Sequence, residues 1–169
     1  MRIRYFIMDV DGTLTDGKIY VGQNGEMFKA FYVRDGYAVN TMLRAAGIKA
    51  SIITGRKSEI VERRSEELHI PLVFQGVADK CQTLMEMLRS ESEKDGVEHD
   101  LSECAYIGDD LPDLDCMKMI RDGGGFVACP RDAIREIKEI SQFVSSKDGG
   151  NGAVRETVEY ILKENNCEK

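Results

Sequence analysis

Residues 5–13 read Y-F-I-M-D-V-D-G-T, an apolar run followed at once by two aspartates and a glycine. The apolar run predicts a buried strand, and Gly12 marks the turn at which that strand ends. Side chains alternate along an extended chain, so Asp9 and Asp11 are able to face the same side. Two adjacent carboxylates repel each other and are stabilised by a cation or a shared proton. A solvated acidic turn after a core strand is the alternative interpretation.

Three further polar elements each follow an apolar, strand-like run. Thr54 follows residues 50–53, Lys80 comes after residues 72–74, and the sequence G-D-D-L-P-D at 108–113 follows residues 105–107. In open parallel sheets, ligands bind beyond the carboxyl ends of the strands. Phosphoryl transfer from a monoester needs a nucleophile, a general acid, a divalent cation and donors for the phosphoryl oxygens. These four elements supply groups of each kind.

On these motifs the sequence resembles the haloacid dehalogenase superfamily of aspartyl-phosphate phosphatases, over nearly the whole chain. The resemblance implies that Asp9 attacks phosphorus, and that Asp11 protonates the leaving oxygen and then activates the hydrolytic water. It also implies that Thr54 and Lys80 contact the phosphoryl oxygens.

The same resemblance implies a Mg²⁺ site formed by Asp9, the Asp11 carbonyl and Asp109. Oxygen ligands of this kind suit a hard cation that keeps several waters. Asp113 is interpreted as a residue that orients these ligands. Asp110 either shares that role or caps a helix that begins near residues 111–112.

Composition limits the classes of function that remain open. The chain has 169 residues, 42% hydrophobic residues, 31% charged residues and a formal net charge of −7. These values predict one globular domain over residues 1–169 and argue against a nucleic-acid surface. The short apolar run near the N-terminus is not a signal peptide, and no stretch approaches the length of a membrane span. Five cysteines without metal-site spacing predict free thiols and a cytoplasmic location.

Strand-like and helical patterns alternate along the chain, which predicts an α/β fold with a Rossmann-like parallel sheet and helices on both faces. The predicted strands are residues 3–8, 50–53, 72–74, 105–107, 125–128 and 142–144. The predicted helices are residues 35–46, 57–68, 80–94, 111–120, 133–140 and 153–163. A glycine-rich segment and the last helix together occupy about residues 148–164.

One segment, at about residues 17–33, breaks this alternation. It contains two β-rich runs around G-Q-N-G at 22–25, which predicts a β-hairpin flap with Asn24-Gly25 at its turn. An isolated hairpin is marginally stable in water, and this one has much apolar surface. We therefore expect it to pack against another subunit, with folding back onto its own core as the alternative. The residues that supply this surface are Ile19, Tyr20, Phe28 and Phe31.

Several stretches narrow the resemblance to the capless, tetrameric phosphatases of 3-deoxy-D-manno-octulosonate 8-phosphate (KDO 8-phosphate), a lipopolysaccharide precursor. They are the hairpin, V-R-D-G-Y at 33–37, T-G-R-K at 54–57, Q-G at 75–76 and G-G-N-G-A-V-R-E at 149–156. The resemblance implies a sugar-acid phosphate as substrate and a homotetramer. The residues expected to contact substrate are Asp11, Tyr32, Val33, Arg34, Asp35, Gly36, Gly55, Arg56, Arg64 and Lys80.

Separate physical arguments concern two arginines and the C-terminal segment. A guanidinium pairs with a sugar-acid carboxylate in bidentate fashion, and Arg56 and Arg64 are eight residues apart, so they are able to share a helix face. Arg64 is alternatively an ordinary surface residue of a polar helix. Because no cap domain fits between the motifs, residues 149–155 are predicted to act as a flexible lid.

Two alternatives remain open at this point. Related phosphatases act on the 9-phosphates of KDN and of N-acylneuraminate, nine-carbon sugar acids. Arg56 and Glu67 have the opposite polarity to the residues expected in KDN 9-phosphate phosphatases, whereas Asn40 replaces an arginine common in the octulosonate enzymes. A non-catalytic tetramerisation domain linked to sialic-acid activation is the alternative of another class.

Overall fold

A parallel sheet of six strands forms the centre of the molecule. The computed structural model describes residues 2–167, and the side chains of residues 166 and 167 are not described. The strand order is β5-β4-β1-β6-β7-β8, and every neighbouring pair is parallel. These strands are β1 (Tyr5–Met8), β4 (Lys49–Thr54), β5 (Leu72–Gln75), β6 (Cys104–Ile107), β7 (Phe126–Cys129) and β8 (Phe143–Val144). The predicted fold class is therefore confirmed.

Within the described part of the chain, six α-helices cover the two faces of the sheet. They are α1 (Val33–Tyr37), α2 (Glu59–Glu67), α3 (Lys80–Asp95), α4 (Leu111–Asp122), α5 (Arg135–Ile140) and α6 (Ala153–Cys167). The predicted helix over 35–46 is instead the short α1 followed by a π-helical segment, Ala38–Leu43. The predicted helix over 57–68 begins two residues later, because Ser58 is its N-cap and accepts a hydrogen bond from the Ile60 amide.

Alternation along β1 divides the core into two layers. Phe6 and Met8 point to the face covered by α1, the π-helical segment, α2 and α6, whereas Tyr5 and Ile7 point to the face covered by α3, α4 and α5. All four side chains are at most 1% exposed. Truncating a buried aromatic residue such as Phe6 typically costs about 3–5 kcal/mol. The central position of β1 thus fixes the point at which residue 9 leaves the sheet.

The hairpin consists of β2 (Tyr20–Gly22) and β3 (Gly25–Phe28), which pair antiparallel outside the main sheet. Gly22 pairs with Gly25, so the two turn residues are Gln23 and Asn24 rather than the predicted Asn24-Gly25. Gly25, at φ 103°, closes the turn in a conformation that L side chains rarely adopt. The hairpin is present as predicted, and its role as a flap stays a prediction.

The apolar surface of the hairpin is distributed differently from the prediction. Val21 is 69% exposed and Met27 65% exposed, more than Phe28 or Ile19. Phe31 instead packs against the core of its own chain. The most exposed apolar side chains therefore lie near the tip of the hairpin.

Within residues 2–167, no helix has both the length and the apolar character needed to cross a membrane. The cysteines whose side chains are described, namely Cys81, Cys104, Cys116 and Cys129, are free thiols. The side chain of Cys167 lies outside the described part of the chain.

The carboxylate of Asp35 joins α1 to the beginning of α6. It is 1% exposed and accepts hydrogen bonds from the amides of Gly152 at 3.2 Å and Arg155 at 2.7 Å. Burial raises the pKa of Asp35, although these two bonds favour its ionised form. A carboxylate at a helix N-terminus satisfies amides that have no partner within the helix. The last helix is therefore held in place by a residue that lies about 120 positions earlier in the chain.

We expect Asp35→Ala to lower the free energy of unfolding by about 1–2 kcal/mol, because two amides at the start of α6 lose their acceptor. Urea unfolding followed by circular dichroism measures this change. The matched control is Asp115→Ala, an exposed aspartate on α4, which should change stability by less than about 0.5 kcal/mol. Equal effects of the two substitutions would contradict the capping role.

Candidate active site at the carboxyl edge of the sheet

Asp9 leaves the carboxyl end of β1 and begins a tight loop. Its amide donates to the Ile107 carbonyl at 3.1 Å, and the amides of Thr13 and Thr15 both donate to the Val10 carbonyl. A Cβ on Gly12, at φ 95°, would lie 2.0 Å from Asp109 Oδ2. Only glycine therefore allows this loop to close so tightly against Asp109.

Lys80 connects two of the carboxylates. It is the first residue of α3, and its ammonium lies 3.0 Å from Asp9 Oδ1 and 2.7 Å from Asp113 Oδ1. The side chain is 5% exposed. Burial opposes its charge, but the two carboxylates outweigh burial and raise the pKa of Lys80. The lysine is therefore a fixed cation beside Asp9.

Asp113 is fully buried and has partners on both of its oxygens. Its Oδ1 accepts from Lys80 and from the Tyr106 hydroxyl, each at 2.7 Å, and its Oδ2 accepts from the Asp109 amide at 3.0 Å. A Cβ on Gly108 would lie 2.5 Å from Asp113 Cγ, so glycine is needed there too. This placement gives a physical basis to the predicted orienting role of Asp113.

Asp110 lies at the N-cap of α4. Its carboxylate accepts from the Leu111 amide at 2.8 Å and forms a capping box with Asp113. An orienting role and a capping role are both compatible with this position. The capping role is the one supported by a direct hydrogen bond of the Asp110 carboxylate. Its side chain belongs to the helix rather than to the cluster around Asp9.

A cation site is indicated by Asp9 and Asp109. Oxygen atoms of Asp9, Asp109 and Asp113 lie within 4.8 Å of one another. Asp9 Oδ1 is buried and accepts no hydrogen bond, since Lys80 lies at ion-pair distance without favourable alignment. Asp109 has one oxygen held by the Thr13 hydroxyl at 2.9 Å. Because the oxygens of Asp113 are already bonded, Asp9 and Asp109 are the carboxylates suited to hold Mg²⁺.

Burial and neighbouring negative charge raise the pKa values of both carboxylates in the metal-free protein. Burial, with the nearby charge of Asp113, raises the pKa of Asp9 to about 6. The same two causes, opposed by the hydrogen bond from Thr13, raise the pKa of Asp109 to about 7. A divalent cation between them would stabilise the ionised forms.

Thr54 and Gly55 lie at the carboxyl end of β4, the strand adjacent to β1. Thr54 is the last residue of β4, is 2% exposed, and its carbonyl accepts from the Val77 amide at 3.1 Å. The register of β4 pairs Ile52 with Met8, which brings Thr54 to the same edge as Asp9. Their predicted contacts with phosphoryl oxygens and substrate stay predictions.

One carboxylate and two cations surround Asp11. The buried ammonium of Lys29 bonds Asp11 Oδ1 and lies 3.0 Å from Glu26 Oε1. Arg56 lies 3.6 Å from Asp11 Oδ2 and 3.7 Å from Glu26. Burial opposes ionisation of Glu26, but hydrogen bonds from Ser58 and Lys29 outweigh it and lower its pKa. Sequence reasoning missed Lys29 and Glu26, whose only signal was a charged pair three residues apart in an apolar hairpin.

The two candidate substrate arginines do not share a helix face. Arg56 precedes α2, whose first residue is Glu59, so the argument from helical spacing fails. Arg64 is on α2, bonds Glu67 at 2.7 Å and lies 5.6 Å from the centre of the Phe31 ring. Its Nε is buried without a hydrogen-bond partner. Arg64 is therefore not an ordinary surface residue, and substrate contact by either arginine stays a prediction.

The predicted substrate loop lies around the beginning of α1. Val33 is 79% exposed, and the Arg34 guanidinium lies 6.0 Å from the centre of the Tyr32 ring. A Cβ on Gly36 would lie 2.4 Å from Arg64 Nη2, which requires glycine there unless Arg64 moves. The Asp35 carboxylate binds the start of α6, so its predicted contact with substrate would add to that structural role.

The glycine-rich segment is packed rather than free. The Gly150 amide donates to the Thr13 carbonyl at 3.0 Å, and the Gly149 amide donates to Asp132 at 2.9 Å. A Cβ on Gly149 would lie 1.8 Å from the Gly12 carbonyl oxygen. These glycines allow close packing against the loop that follows β1, and the predicted role of residues 149–155 as a lid stays a prediction.

Comparisons with known proteins agree with this geometry. KdsC of Yersinia pestis, a 3-deoxy-D-manno-octulosonate 8-phosphate phosphatase, is 38% identical over 160 residues, which are 95% of this chain and 80% of that protein. A second relative is the 3-deoxy-D-manno-octulosonate 8-phosphate phosphatase of Moraxella catarrhalis, whose crystal structure contains magnesium, phosphate and KDO. It is 45% identical to this chain with a TM-score of 0.83, and the match covers 95% of this chain and 86% of that chain.

A third neighbour supports the wider grouping. A Legionella pneumophila structure named as a hydrolase of the HAD superfamily, subfamily III A, is 34% identical with a TM-score of 0.85. The match covers 97% of this chain and 84% of that chain. No protein-family model matches the chain.

We expect Mg²⁺ to raise the melting temperature more at about pH 8 than at about pH 5. The raised pKa values of Asp9 and Asp109 mean that the metal-free fold binds more protons than the unfolded chain between about pH 4 and pH 7. Its stability therefore falls as pH rises through this window, and Mg²⁺ binding to the ionised carboxylates offsets the loss. At a hundredfold excess over Kd, the gain is about 2.7 kcal/mol.

Differential scanning fluorimetry at both pH values, with and without Mg²⁺, measures this effect. Asp109→Asn should remove the Mg²⁺ shift, whereas Asp122→Asn, at an exposed position at the end of α4, should keep it. A Mg²⁺ shift of equal size at both pH values, or one that persists in Asp109→Asn, would contradict the assigned site.

Proposed function

The chain belongs to the 3-deoxy-D-manno-octulosonate 8-phosphate phosphatase family of the haloacid dehalogenase superfamily, and we propose that it hydrolyses KDO 8-phosphate to KDO and phosphate. The observation that carries this proposal is the placement of Asp9 between Asp109 and Lys80, whose ammonium lies 3.0 Å from the buried Oδ1 of Asp9. The relatives named above favour this substrate over the nine-carbon sugar acids.

The reaction needs Asp9 as an ionised nucleophile with one oxygen free. Attack on phosphorus forms the Asp9–phosphorus bond and breaks the bond between phosphorus and the leaving oxygen, which receives a proton from Asp11. Water then attacks phosphorus, which breaks the bond between phosphorus and the Asp9 oxygen and releases phosphate, while a proton of the water passes back to Asp11. Lys80 cannot lose its charge easily and is suited to neutralise the phosphoryl oxygens.

Mg²⁺ is the metal of this site in the proposal. Asp9, Asp109 and the Asp11 carbonyl would hold it, and when bound it supplies charge that neutralises the phosphoryl oxygens. Asp113 accepts hydrogen bonds from the Asp109 amide and from Lys80, and so fixes the positions of these two residues relative to each other.

Recognition of the sugar acid is assigned to Arg56 and to the loop of residues 32–36. Arg56 is 52% exposed, so its guanidinium is accessible beside Asp11. A carboxylate remote from the phosphate suits such a group, since arginine pairs with carboxylates in bidentate fashion. The cytoplasmic location expected from the sequence stays a prediction.

A homotetramer built through the hairpins is part of the proposal. Val21, Met27 and Phe28 form an exposed apolar surface on two short strands, which on their own are marginal in water. Tyr20 and Phe28 stack with 4.3 Å between ring centres, which stiffens the base of this surface. Contact between the hairpins of several copies would cover it, four copies being the number that the resemblance implies.

We expect Asp9→Asn to reduce turnover of KDO 8-phosphate by about 10³-fold or more, because an amide is a poor nucleophile and a poor ligand for Mg²⁺. Phosphate release under saturating Mg²⁺ measures the loss, and circular dichroism checks the fold. A screen of eight- and nine-carbon sugar-acid phosphates with the unmodified protein tests the substrate. Activity of Asp9→Asn within tenfold of the unmodified protein, or preference for a 9-phosphate, would contradict the proposal.

The combined substitution of Val21→Asp and Met27→Asp should dissociate the assembly, because charge buried without a partner at an interface is costly. Sedimentation velocity at micromolar concentration measures the change in mass. The matched control is Val97→Asp, an exposed apolar residue after α3, which should leave the mass unchanged. A monomeric unmodified protein would rule out assembly through the hairpin.

A further inference from the structure

A buried ammonium from the hairpin touches the residue proposed as general acid and base. The Lys29 side chain is 1% exposed, whereas those of Asp11 and Glu26 are each 17% exposed. Lys29 follows β3 directly, so the residue that contacts Asp11 is supplied by the hairpin and not by the sheet. Burying an ammonium is costly unless it is paired, and here both partners are carboxylates.

The cluster fixes one oxygen of Asp11 and leaves the other accessible. Lys29 bonds Oδ1, whereas the nearest cation to Oδ2 is the exposed Arg56 at 3.6 Å. Glu26 holds Lys29 from the opposite side, and Glu26 is itself held by the Ser58 hydroxyl. The Ser58 amide donates to Gln75 at 2.9 Å, so this chain of bonds ends on β5 of the main sheet. Lys29 is thus anchored independently of any ligand.

We infer that Lys29 is a positioning residue for Asp11, which it holds so that Oδ2 carries the proton during both steps of the reaction. This inference rests on the proposed function. When Asp11 protonates the leaving oxygen, its Oδ2–H bond breaks and a carboxylate remains. The ammonium stabilises that carboxylate through a charge-assisted hydrogen bond. In the second step Oδ2 accepts a proton from water, and Lys29 keeps its three protons throughout.

The hairpin would also connect subunit assembly with catalysis. Lys29 and Glu26 belong to the same hairpin whose apolar tip is proposed to contact other subunits. A shift of this hairpin would move the ammonium relative to Asp11, because no other described cation contacts Asp11 Oδ1. Packing between subunits would therefore hold the proton-transfer group in place.

The test is a double-mutant cycle between Lys29→Met and Asp11→Asn. Methionine keeps an unbranched apolar side chain and removes the charge. For KDO 8-phosphate, Lys29→Met alone should lower kcat by about 10–100-fold, within the range of general acid–base assistance, and change KM by less than about threefold. In the Asp11→Asn background the same substitution should change kcat by less than about twofold, because its target is already lost.

Two further comparisons separate positioning from a general structural role. Lys29→Arg keeps the charge, so its kcat should be at least about tenfold higher than that of Lys29→Met. The single-turnover phosphorylation rate with p-nitrophenyl phosphate should fall less than the rate with KDO 8-phosphate, since nitrophenolate needs little protonation. The matched control is Lys18→Met, a lysine before β2 with a 72% exposed side chain, which should leave kcat unchanged.

Additive losses in the cycle, or equal losses for the two substrates, would overturn the inference. If Lys29→Met fails to fold, Lys29→Gln, which keeps a neutral donor, enters the same cycle under the same criteria. Sedimentation velocity on each variant shows whether the assembly is intact. Absence of phosphatase activity in the unmodified protein would refute the proposed function, whereas full activity with an additive cycle would refute only the role of Lys29.

Discussion

The ammonium of Lys80, held between Asp9 and Asp113 at the carboxyl edge of the sheet, is the interaction on which the site depends. It joins β1, α3 and α4 through buried charges that have little access to water. Removing one partner of such a group leaves an uncompensated charge, which typically costs about 3–5 kcal/mol. Asp113 is saturated by this arrangement, and Asp9 keeps an oxygen without a hydrogen bond. This difference favours Asp9 over Asp113 as the proposed nucleophile.

A second, smaller polar cluster lies on the hairpin side of the same site. Three charged side chains, those of Lys29, Glu26 and Arg56, surround Asp11, which lies two residues after Asp9. The first cluster is built from the sheet and its helices, whereas the second depends on a two-stranded element with little core of its own. The proposed nucleophile and the proposed proton donor are thus supported by different elements of the fold, and the proposed contacts between hairpins would act on the element that supports Asp11.

Much of this structure follows from local sequence signals. Apolar runs and helical periodicity predict the parallel sheet, and the motifs at Asp9, Thr54, Lys80 and Asp109 predict the edge at which they meet. Contacts between residues far apart in sequence leave no local signal. The sequence therefore does not predict the hydrogen bond of Lys29 to Asp11, or those that Asp35 accepts from amides at the start of α6. The glycines at 149, 150 and 152 predict a turn-rich segment, but composition does not reveal the close contact of Gly149 with the Gly12 carbonyl.

Asp9 is the proposed nucleophile, and its attack on phosphorus would form an aspartyl-phosphate. The most direct measurement is chemical trapping of the intermediate: turnover with Mg²⁺ and KDO 8-phosphate is quenched in acid, reduced with borohydride, and the peptide containing residue 9 is analysed by mass spectrometry. Reduction of an aspartyl-phosphate converts aspartate to homoserine, and the account predicts this conversion at Asp9. Homoserine at another aspartate would contradict this role of Asp9. The absence of homoserine during active turnover would also contradict it, provided that the trapping control gives the expected product.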